Sequence, residues 1–155
     1  MKHVSILLDT SFILPSFRID VGDEVNKVLR ILNKYGDRFV VFYSTFNVLE
    51  ALLVIIREVR RGNIKFDEAK EAIEFGAINT MMKLQKAPEP PQVYVLAFSL
   101  YSMGHKDLFD NLLYSVALVN DIKFLTMDYE FKEFIKSNKL NDTIITPKEL
   151  MESLS

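Results

Sequence analysis

Four acidic residues stand beside apolar sequence, where an isolated buried charge would be costly. Asp9 directly follows the apolar run 6–8, and Asp128 follows the apolar-rich run 124–127. Glu50 lies within an apolar helical stretch, and Asp110 opens another. Carboxylate oxygens are the ligands that hard cations such as Mg2+ and Mn2+ take, so a cation would compensate this charge. We therefore expect Asp9, Glu50, Asp110 and Asp128 to form one metal site.

Each of these carboxylates also has an ordinary structural explanation. Asp9 and Asp128 would suit the caps of the turns or helices that follow them, and Glu50 would suit the solvent face of an amphipathic helix. Asp110 would suit the third position of a helix whose N-cap is Asp107, because acidic side chains stabilise a helix amino terminus. For Asp107 we favour this capping role.

Strand and helix patterns alternate along the chain. Continuous apolar runs predict buried strands, and apolar residues at helical spacing predict the helices between them. Ser44 is the expected N-cap of the helix that carries Glu50, and Thr146 and Pro147 begin the closing helix. The predicted strands span 4–8, 39–43, 122–126 and 143–145, and the predicted helices span 20–35, 45–61, 67–86, 92–103, 107–120 and 130–137.

This alternation predicts an α/β fold with a mainly parallel central sheet and helices on both faces, in three layers. In such sheets ligands bind beyond the carboxyl ends of the strands, where both Asp9 and Asp128 are predicted to lie. The length of 155 residues and the 49% apolar content fit a single domain over residues 1–155.

Composition limits the chemistry and the expected location. The chain has no cysteine, which excludes thiolate metal sites and a cysteine nucleophile and favours an intracellular protein. The apolar runs are too short to span a membrane and the amino terminus lacks a signal-peptide pattern, so we expect a soluble, cytoplasmic protein. The net charge of -2 gives no global positive field, so a nucleic-acid partner would need a local basic patch.

The order and spacing of these residues resemble those of the PIN-domain family over nearly the whole chain. The pattern consists of Asp9-Thr10-Ser11 after a strand, Glu50 in a helix, Asp110 at a helix start and Thr126-Met127-Asp128 after a strand. Its most specific part is the 18-residue step from Asp110 to Asp128, which is expected to hold a helix and then a strand ending in Thr-x-Asp.

The resemblance implies a metal-dependent ribonuclease, because many family members are the VapC-like toxins of toxin–antitoxin pairs. Asp9 and Asp128 would be direct ligands of Mg2+ or Mn2+. Asp110 would bind directly or through water, and Glu50 would be a ligand or a base that positions water. Ser11, Ser44 and Thr126 match polar positions near the metal and are second-layer candidates, with helix capping as the alternative role for each.

The chain departs from the family pattern at three positions. Asp121 stands where glycine is common, but aspartate tolerates a left-handed backbone, so we expect the turn to survive. Tyr114 and Val116 replace small or hydroxyl residues on the helix after Asp110, so the resemblance leaves the shape of the substrate cleft open while the metal site is unaffected.

Basic residues after Glu50 form the best local patch for RNA. Arg57 lies seven residues after Glu50 and so on nearly the same helix face. Helix-dipole stabilisation at a solvated helix end explains the same residues equally well. The patch consists of Arg57, Arg60, Arg61 and Lys65, with Lys132, Lys136 and Lys139 as weaker candidates, and we expect His3 and His105 to be surface residues without a catalytic role.

Other interpretations of the sequence lead to other functions. A haloacid-dehalogenase-type phosphatase needs a second Asp where this chain has Ser11, and a P-loop enzyme needs a glycine-rich motif that is absent here, so both are disfavoured. A DNA nuclease stays open, since metal chemistry does not distinguish the sugar. The alternative from another class is a non-catalytic PIN-like binding or assembly subunit.

The expected partners are an RNA substrate, a cognate antitoxin and a second copy of the chain. The segments 81–82 and 98–103 are apolar enough to form a dimer or partner surface. Packing into the core explains them as well, and we favour that role.

Overall fold

The computed structural model describes residues 2–155 as alternating strands and helices. The strands are β1 (Val4–Leu8), β2 (Phe39–Tyr43), β3 (Gln85–Lys86), β4 (Lys123–Leu125) and β5 (Ile144–Ile145). The helices are α1 (Asp23–Lys34), α2 (Thr45–Arg60), α3 (Phe66–Lys83), α4 (Gln92–Ser102), α5 (Leu108–Val119), α6 (Tyr129–Ser137) and α7 (Pro147–Glu152). Two 3-10 turns, Thr10–Phe12 and Leu14–Phe17, follow β1.

The five strands form one parallel sheet in the order β3-β2-β1-β4-β5. The chain moves outward from β1 to β2 and β3 and then returns to the other side of β1 with β4. This reversal of direction places a crevice at the carboxyl ends of β1 and β4, where open α/β sheets bind ligands. The predicted parallel sheet with helices on both faces is confirmed.

β1 is the central strand because it is apolar on both faces. Leu7 packs into a core under α4, α5 and α6, whereas Ile6 and Leu8 pack into a second core with α1, α2, α3 and α7. Alternate side chains of a strand point to opposite faces, so a central parallel strand needs a continuous apolar run. This packing fixes the end of β1, and therefore Asp9, between the two helical layers.

The predicted boundaries agree with the structure to within three residues. The main difference is the edge strand β3, which was not predicted and follows the helix predicted over 67–86, whose end lies at Lys83. β3 has two residues, Gln85 and Lys86, and both are exposed. No apolar pattern marks so short and polar a strand.

The preference for core packing of the segments 81–82 and 98–103 is wrong for most of their large side chains. Met82 is 80% exposed on α3 and Phe98 is 70% exposed on α4. Leu100 is buried, whereas Met81, Tyr101 and Met103 are exposed as well. These helices therefore present apolar side chains to the surface.

Asp121 has a left-handed backbone with φ of 52°, as predicted for the turn before β4. Tyr114 and Val116, which replace small or hydroxyl residues of the family pattern, are both buried in the core under the sheet. The Tyr114 hydroxyl donates a hydrogen bond to the carbonyl of Asn141 at 2.5 Å. Within residues 2–155, no helix has the length and apolar character that crossing a membrane requires.

Candidate functional site

A cavity of about 400 Å³ lies at the carboxyl ends of β1 and β4, and four acidic residues line it. Each comes from a different element: Asp9 follows β1, Glu50 is on α2, Asp110 is on α5, and Asp128 precedes α6. The structure thus brings together all four residues that the sequence singled out. Thr10, Ser11, Leu14, Val54 and Met127 complete the lining.

Residues at the ends of β1 and β4 hold the side chain of Asp9 by hydrogen bonds. Its Oδ1 accepts a 2.7 Å hydrogen bond from the backbone N–H of Thr10, and its Oδ2 accepts one of 2.7 Å from the hydroxyl of Thr126. Its own N–H donates to the carbonyl of Leu125 on β4. Burial raises the pKa of Asp9 to about 6 in spite of these hydrogen bonds, and the charge of Asp128 adds to the increase.

Asp110 lies in the first turn of α5, where it is buried. Asp107 is the N-cap of this helix, as predicted, since its Oδ1 accepts a hydrogen bond from the N–H of Asp110 at 3.1 Å. Burial is the main cause that raises the pKa of Asp110 to about 9, followed by the charge of Asp9 and a side-chain hydrogen bond with Asp128. In the protein without a cation, Asp110 therefore keeps its proton at neutral pH.

Glu50 reaches the cavity because α2 is docked against the end of β1. Ser44 caps α2, and the amide of Asn47 donates a 3.0 Å hydrogen bond to the carbonyl of Leu8. Glu50 lies three residues further along, on the same helix face as Asn47. Burial raises the pKa of Glu50, and the charge of Asp9 acts in the same direction, while nearby Arg57 opposes it.

Asp128 is both a helix cap and a cavity residue. Its Oδ1 accepts a 2.9 Å hydrogen bond from the N–H of Phe131, which makes it the N-cap of α6. A carboxylate has about four lone-pair sites, so capping leaves room for a further ligand. Capping and site formation, treated as alternatives from the sequence, therefore occur together in Asp128 and likewise in Asp9, which caps the first 3-10 turn.

The lining residues fit a hard divalent cation. Their charged groups are all carboxylates, and no lysine or arginine lines the cavity within the chain from Lys2 onward. Burial raises the pKa of both Asp9 and Asp110, because the fold holds these carboxyl groups away from water without a basic side chain in the cavity lining. An all-oxygen donor set with excess negative charge suits Mg2+ or Mn2+.

The three second-layer candidates have different positions. Ser11 lines the cavity, and Thr126 contacts it through Asp9. Ser44 does not line it: the hydroxyl caps α2 at the N–H of Phe46 and lies 3.4 Å from Oε1 of Glu89. For Ser44 the predicted place near the metal is wrong, because helix capping occupies its side chain.

The basic patch lies at the carboxyl end of α2 and the turn after it, and its side chains are exposed. Arg57 is close enough to Glu50 to lower the pKa of that carboxyl. Arg61 pairs with Glu58 at 3.2 Å, and Arg60 lines a separate apolar groove between α2 and α3. Lys65 precedes α3 as its N-cap residue. Within the patch, Arg57 is therefore the residue nearest the acidic site.

The sequence alone did not place two residues, His105 and Asn47, near the site. His105 is half-buried and lies against the first turns of α5 and α6, whereas we expected a surface residue. Asn47 anchors α2 to β1 and was not singled out at all. Asn47 stands three residues after the Ser44 cap, and this capping-box spacing was the available signal.

Comparison with known proteins gives a family match and several structures of similar fold. The family model described as PIN domain matches residues 6–136. The fold is similar to VapBC2 from Rickettsia felis bound to a DNA fragment from its promoter, with a TM-score of 0.61 and 14% identity over 92% of this chain and 98% of that one. No curated protein matches the chain.

Two further solved structures share the fold. PAE2754 from Pyrobaculum aerophilum has a TM-score of 0.60 and 18% identity, over 97% of this chain and 95% of that one. VapC20 from Mycobacterium tuberculosis, a toxin that cleaves the sarcin–ricin loop, has a TM-score of 0.53 and 16% identity, over 76% of this chain and 85% of that one. Since the family model spans most of the sequence and all four cavity carboxylates, the chain belongs to the PIN domain family.

Proposed function

We propose that this protein is a divalent-metal-dependent endoribonuclease that uses Mg2+ or Mn2+ and acts in the cytoplasm as the toxin of a toxin–antitoxin pair. The observation that carries the proposal is the convergence of Asp9, Glu50, Asp110 and Asp128 on one cavity at the carboxyl ends of the strands. Membership of a family of nucleases and the similarity to a toxin that cleaves the sarcin–ricin loop support RNA as the substrate.

The four carboxylates have distinct proposed roles. Asp9 and Asp128 would hold the ion directly, each through lone pairs that its hydrogen bonds leave free. Asp110, without its proton, would bind directly or through water, and Glu50 would be a ligand or a base that orients a water molecule. A divalent ion bound there would supply an activated water and neutralise the charge that develops on the phosphodiester.

Arg57 is the proposed contact for an RNA phosphate beside the cavity. Its side chain is exposed on α2 near Glu50, and its Nε donates a 3.4 Å hydrogen bond to the carbonyl of Leu53. Arginine contacts to phosphate position a nucleic acid without reading its sequence. Arg57→Gln should therefore raise the KM for RNA while leaving metal affinity unchanged, and Lys123→Gln, at the opposite end of the sheet, is the matched control.

The proposed protein partners are a cognate antitoxin and a second copy of the chain. Exposed large apolar side chains on α3 and α4, including Met82 and Phe98, support protein partners, because monomers rarely expose extended apolar patches. VapC20, one of the proteins of similar fold, is itself a toxin. Mass determination by light scattering tests the dimer. Growth arrest on expression, relieved by a neighbouring reading frame, tests the antitoxin.

The deciding experiment is cleavage of a pool of random-sequence single-stranded RNA, with the cut sites located by sequencing. The wild type should cut the pool with Mg2+ or Mn2+, and a chelator should stop cleavage. Asp9→Asn and Asp128→Asn should lower the rate by at least about a hundredfold, because each removes a charged ligand. Asp37→Asn, in the exposed turn before β2, should cleave as the wild type does.

The same pool also separates the alternatives. Equal cleavage by the wild type and the Asp9→Asn and Asp128→Asn variants would contradict the proposal. RNA binding without cleavage would identify a non-catalytic binding subunit. Preferential cleavage of a matched DNA pool would identify a DNA nuclease.

A further inference from the structure

His105 lies beside the acidic cavity in the loop between α4 and α5, and its ring is fixed by two contacts. Nδ1 lies 2.7 Å from Oδ1 of Asn111, and the ring stacks on Phe131 with centroids 4.2 Å apart and planes inclined by 26°. Asn111 is in the first turn of α5, which carries Asp110. Phe131 is in the first turn of α6, which follows Asp128. The position of the imidazole is therefore tied to that of Asp110 and Asp128.

The hydrogen bonds of Asn111 assign the tautomer of His105. The side-chain Nδ2 of Asn111 donates a 2.7 Å hydrogen bond to the carbonyl of His105, so its Oδ1 is the atom that accepts from the ring. Nδ1 of His105 therefore carries a proton, and in the neutral tautomer this leaves the lone pair of Nε2 for a ligand. Metal-binding histidines usually have this arrangement, in which the second ring nitrogen donates to an oxygen that fixes the tautomer.

The donor atoms lie close enough together for one ion to bring them into its coordination shell. A ring nitrogen of His105 and one carboxylate oxygen each of Asp110 and Asp128 all lie within 4.8 Å of one another. Ligands about 2.1 Å from one octahedral ion stand about 3 Å apart when adjacent and about 4.2 Å apart when opposite. His105 forms no salt bridge within 4.0 Å with either carboxylate among the residues from Lys2 to Ser155, so adjacent coordination would need these side chains to close by about 1 Å or more around the ion.

We propose that Nε2 of His105 is a nitrogen ligand of the metal ion, beside Asp110 and Asp128. This inference rests on the proposed metal site and extends it, because the four-carboxylate pattern contains no histidine. An imidazole ligand favours transition-metal ions, whereas Mg2+ prefers oxygen. His105 thereby biases the site toward Mn2+ over Mg2+.

Electron spin-echo spectroscopy of bound Mn2+ tests the proposal without measuring activity. The chain has two histidines, so protein labelled with 15N-histidine isolates their signals. Directly bound nitrogen should give a 14N modulation in unlabelled protein that changes to 15N coupling on labelling. His3→Gln is the matched control and should keep this signal, because His3 precedes β1 at the opposite end of the sheet.

Calorimetry supplies a second readout with His105→Gln. This variant should weaken Mn2+ binding by at least about tenfold and Mg2+ binding by much less. Bound Mn2+ without histidine nitrogen coupling in the wild type would overturn the role of His105 and leave the carboxylate site standing. Failure of the wild type to bind Mn2+ in the cavity would overturn the metal site and this proposal together.

Discussion

The hydroxyl of Thr126 donates a 2.7 Å hydrogen bond to Oδ2 of Asp9 and so joins the end of β4 to the end of β1. Oγ1 of Thr126 also accepts a 3.0 Å hydrogen bond from the N–H of Asp128. One threonine thus orients two carboxylates whose separation in sequence exceeds a hundred residues. The hydrogen bond also stabilises the ionised form of Asp9, which is the form that binds a cation.

Thr126→Val should therefore weaken Mg2+ and Mn2+ binding by about tenfold or more, the usual effect of removing a hydrogen bond to a ligand. Thr126→Ser keeps the hydroxyl and should restore most of the affinity. Isothermal titration calorimetry measures both variants. Equal affinity of Thr126→Val and the wild type would show that this hydrogen bond does not organise the site.

Metal binding should release a proton from Asp110. Burial raises the pKa of Asp110 to about 9, so the metal-free protein carries this proton at pH 7.5. An incoming cation must displace it, and affinity should rise by about tenfold per pH unit up to pH about 9. Calorimetry in two buffers of different ionisation enthalpy counts the protons. Identical apparent enthalpies in both buffers would contradict this expectation, and Asp110→Asn should release no proton from this position.

The stability of the metal-free protein should fall as pH rises. Asp9 and Asp110 have pKa values of about 6 and about 9 in the fold, above their ordinary value of 3.8, so the folded state binds more protons than the unfolded chain. Their stabilising contribution is complete at low pH and is lost as pH rises toward about 9.

Asp110→Asn removes a group that ionises in the unfolded chain but stays largely protonated in the fold at pH 8.5, so it should raise the free energy of unfolding there without metal by about 1–3 kcal/mol. Thermal unfolding with chelator present measures the change, and Asp37→Asn is the control. Saturating Mn2+ should reverse the order of stability, because the wild type gains the binding energy. A metal-free Asp110→Asn variant less stable than the wild type would contradict the account.

Gly76 on α3 allows the close approach of Phe17, the last residue of the second 3-10 turn after Asp9. A Cβ atom at position 76 would lie 2.4 Å from Cγ of Phe17. The clash should outweigh the roughly 1 kcal/mol by which alanine favours a helix, so Gly76→Ala should destabilise the protein by about 1–3 kcal/mol.

Chemical denaturation measures this effect. Gly36→Ala is the control, since a Cβ atom at position 36 would meet nothing within 4 Å beyond its own chain neighbours. Phe17→Leu, combined with Gly76→Ala, should recover part of the loss, because the smaller side chain makes room. Stability of Gly76→Ala equal to that of the wild type would show that the contact relaxes without cost.

The elements that could be predicted best are those that a local apolar pattern marks. β1 and β2 have the predicted bounds, because apolar runs between polar residues mark both strands. The carboxylates converge because parallel strands share one carboxyl edge, which the strand–helix alternation already implied. β3 could not be found in this way, because its two exposed residues pair with β2 only through the tertiary fold.

The features that the sequence did not predict depend on contacts between distant segments. His105 is placed by Asn111 and by Phe131, whose side chain comes from the start of α6. The apolar spacing on α3 and α4 does not show which apolar side chains the rest of the chain buries. The sequence therefore predicts Met82 and Phe98 in the core, whereas both are exposed. Ser44 is the opposite case. Its capping role depends only on the neighbouring sequence, and this role is the correct one.

Metal-assisted cleavage is tested most directly by replacing a nonbridging oxygen of the scissile phosphate with sulfur. Sulfur binds Mg2+ weakly and binds softer ions such as Mn2+ better. Under single-turnover conditions, we predict that the sulfur-substituted RNA is cleaved at least about tenfold more slowly than normal RNA in Mg2+, and that Mn2+ restores the rate. Equal rates for both RNAs in Mg2+, or a deficit that Mn2+ does not relieve, would contradict metal contact with the scissile phosphate.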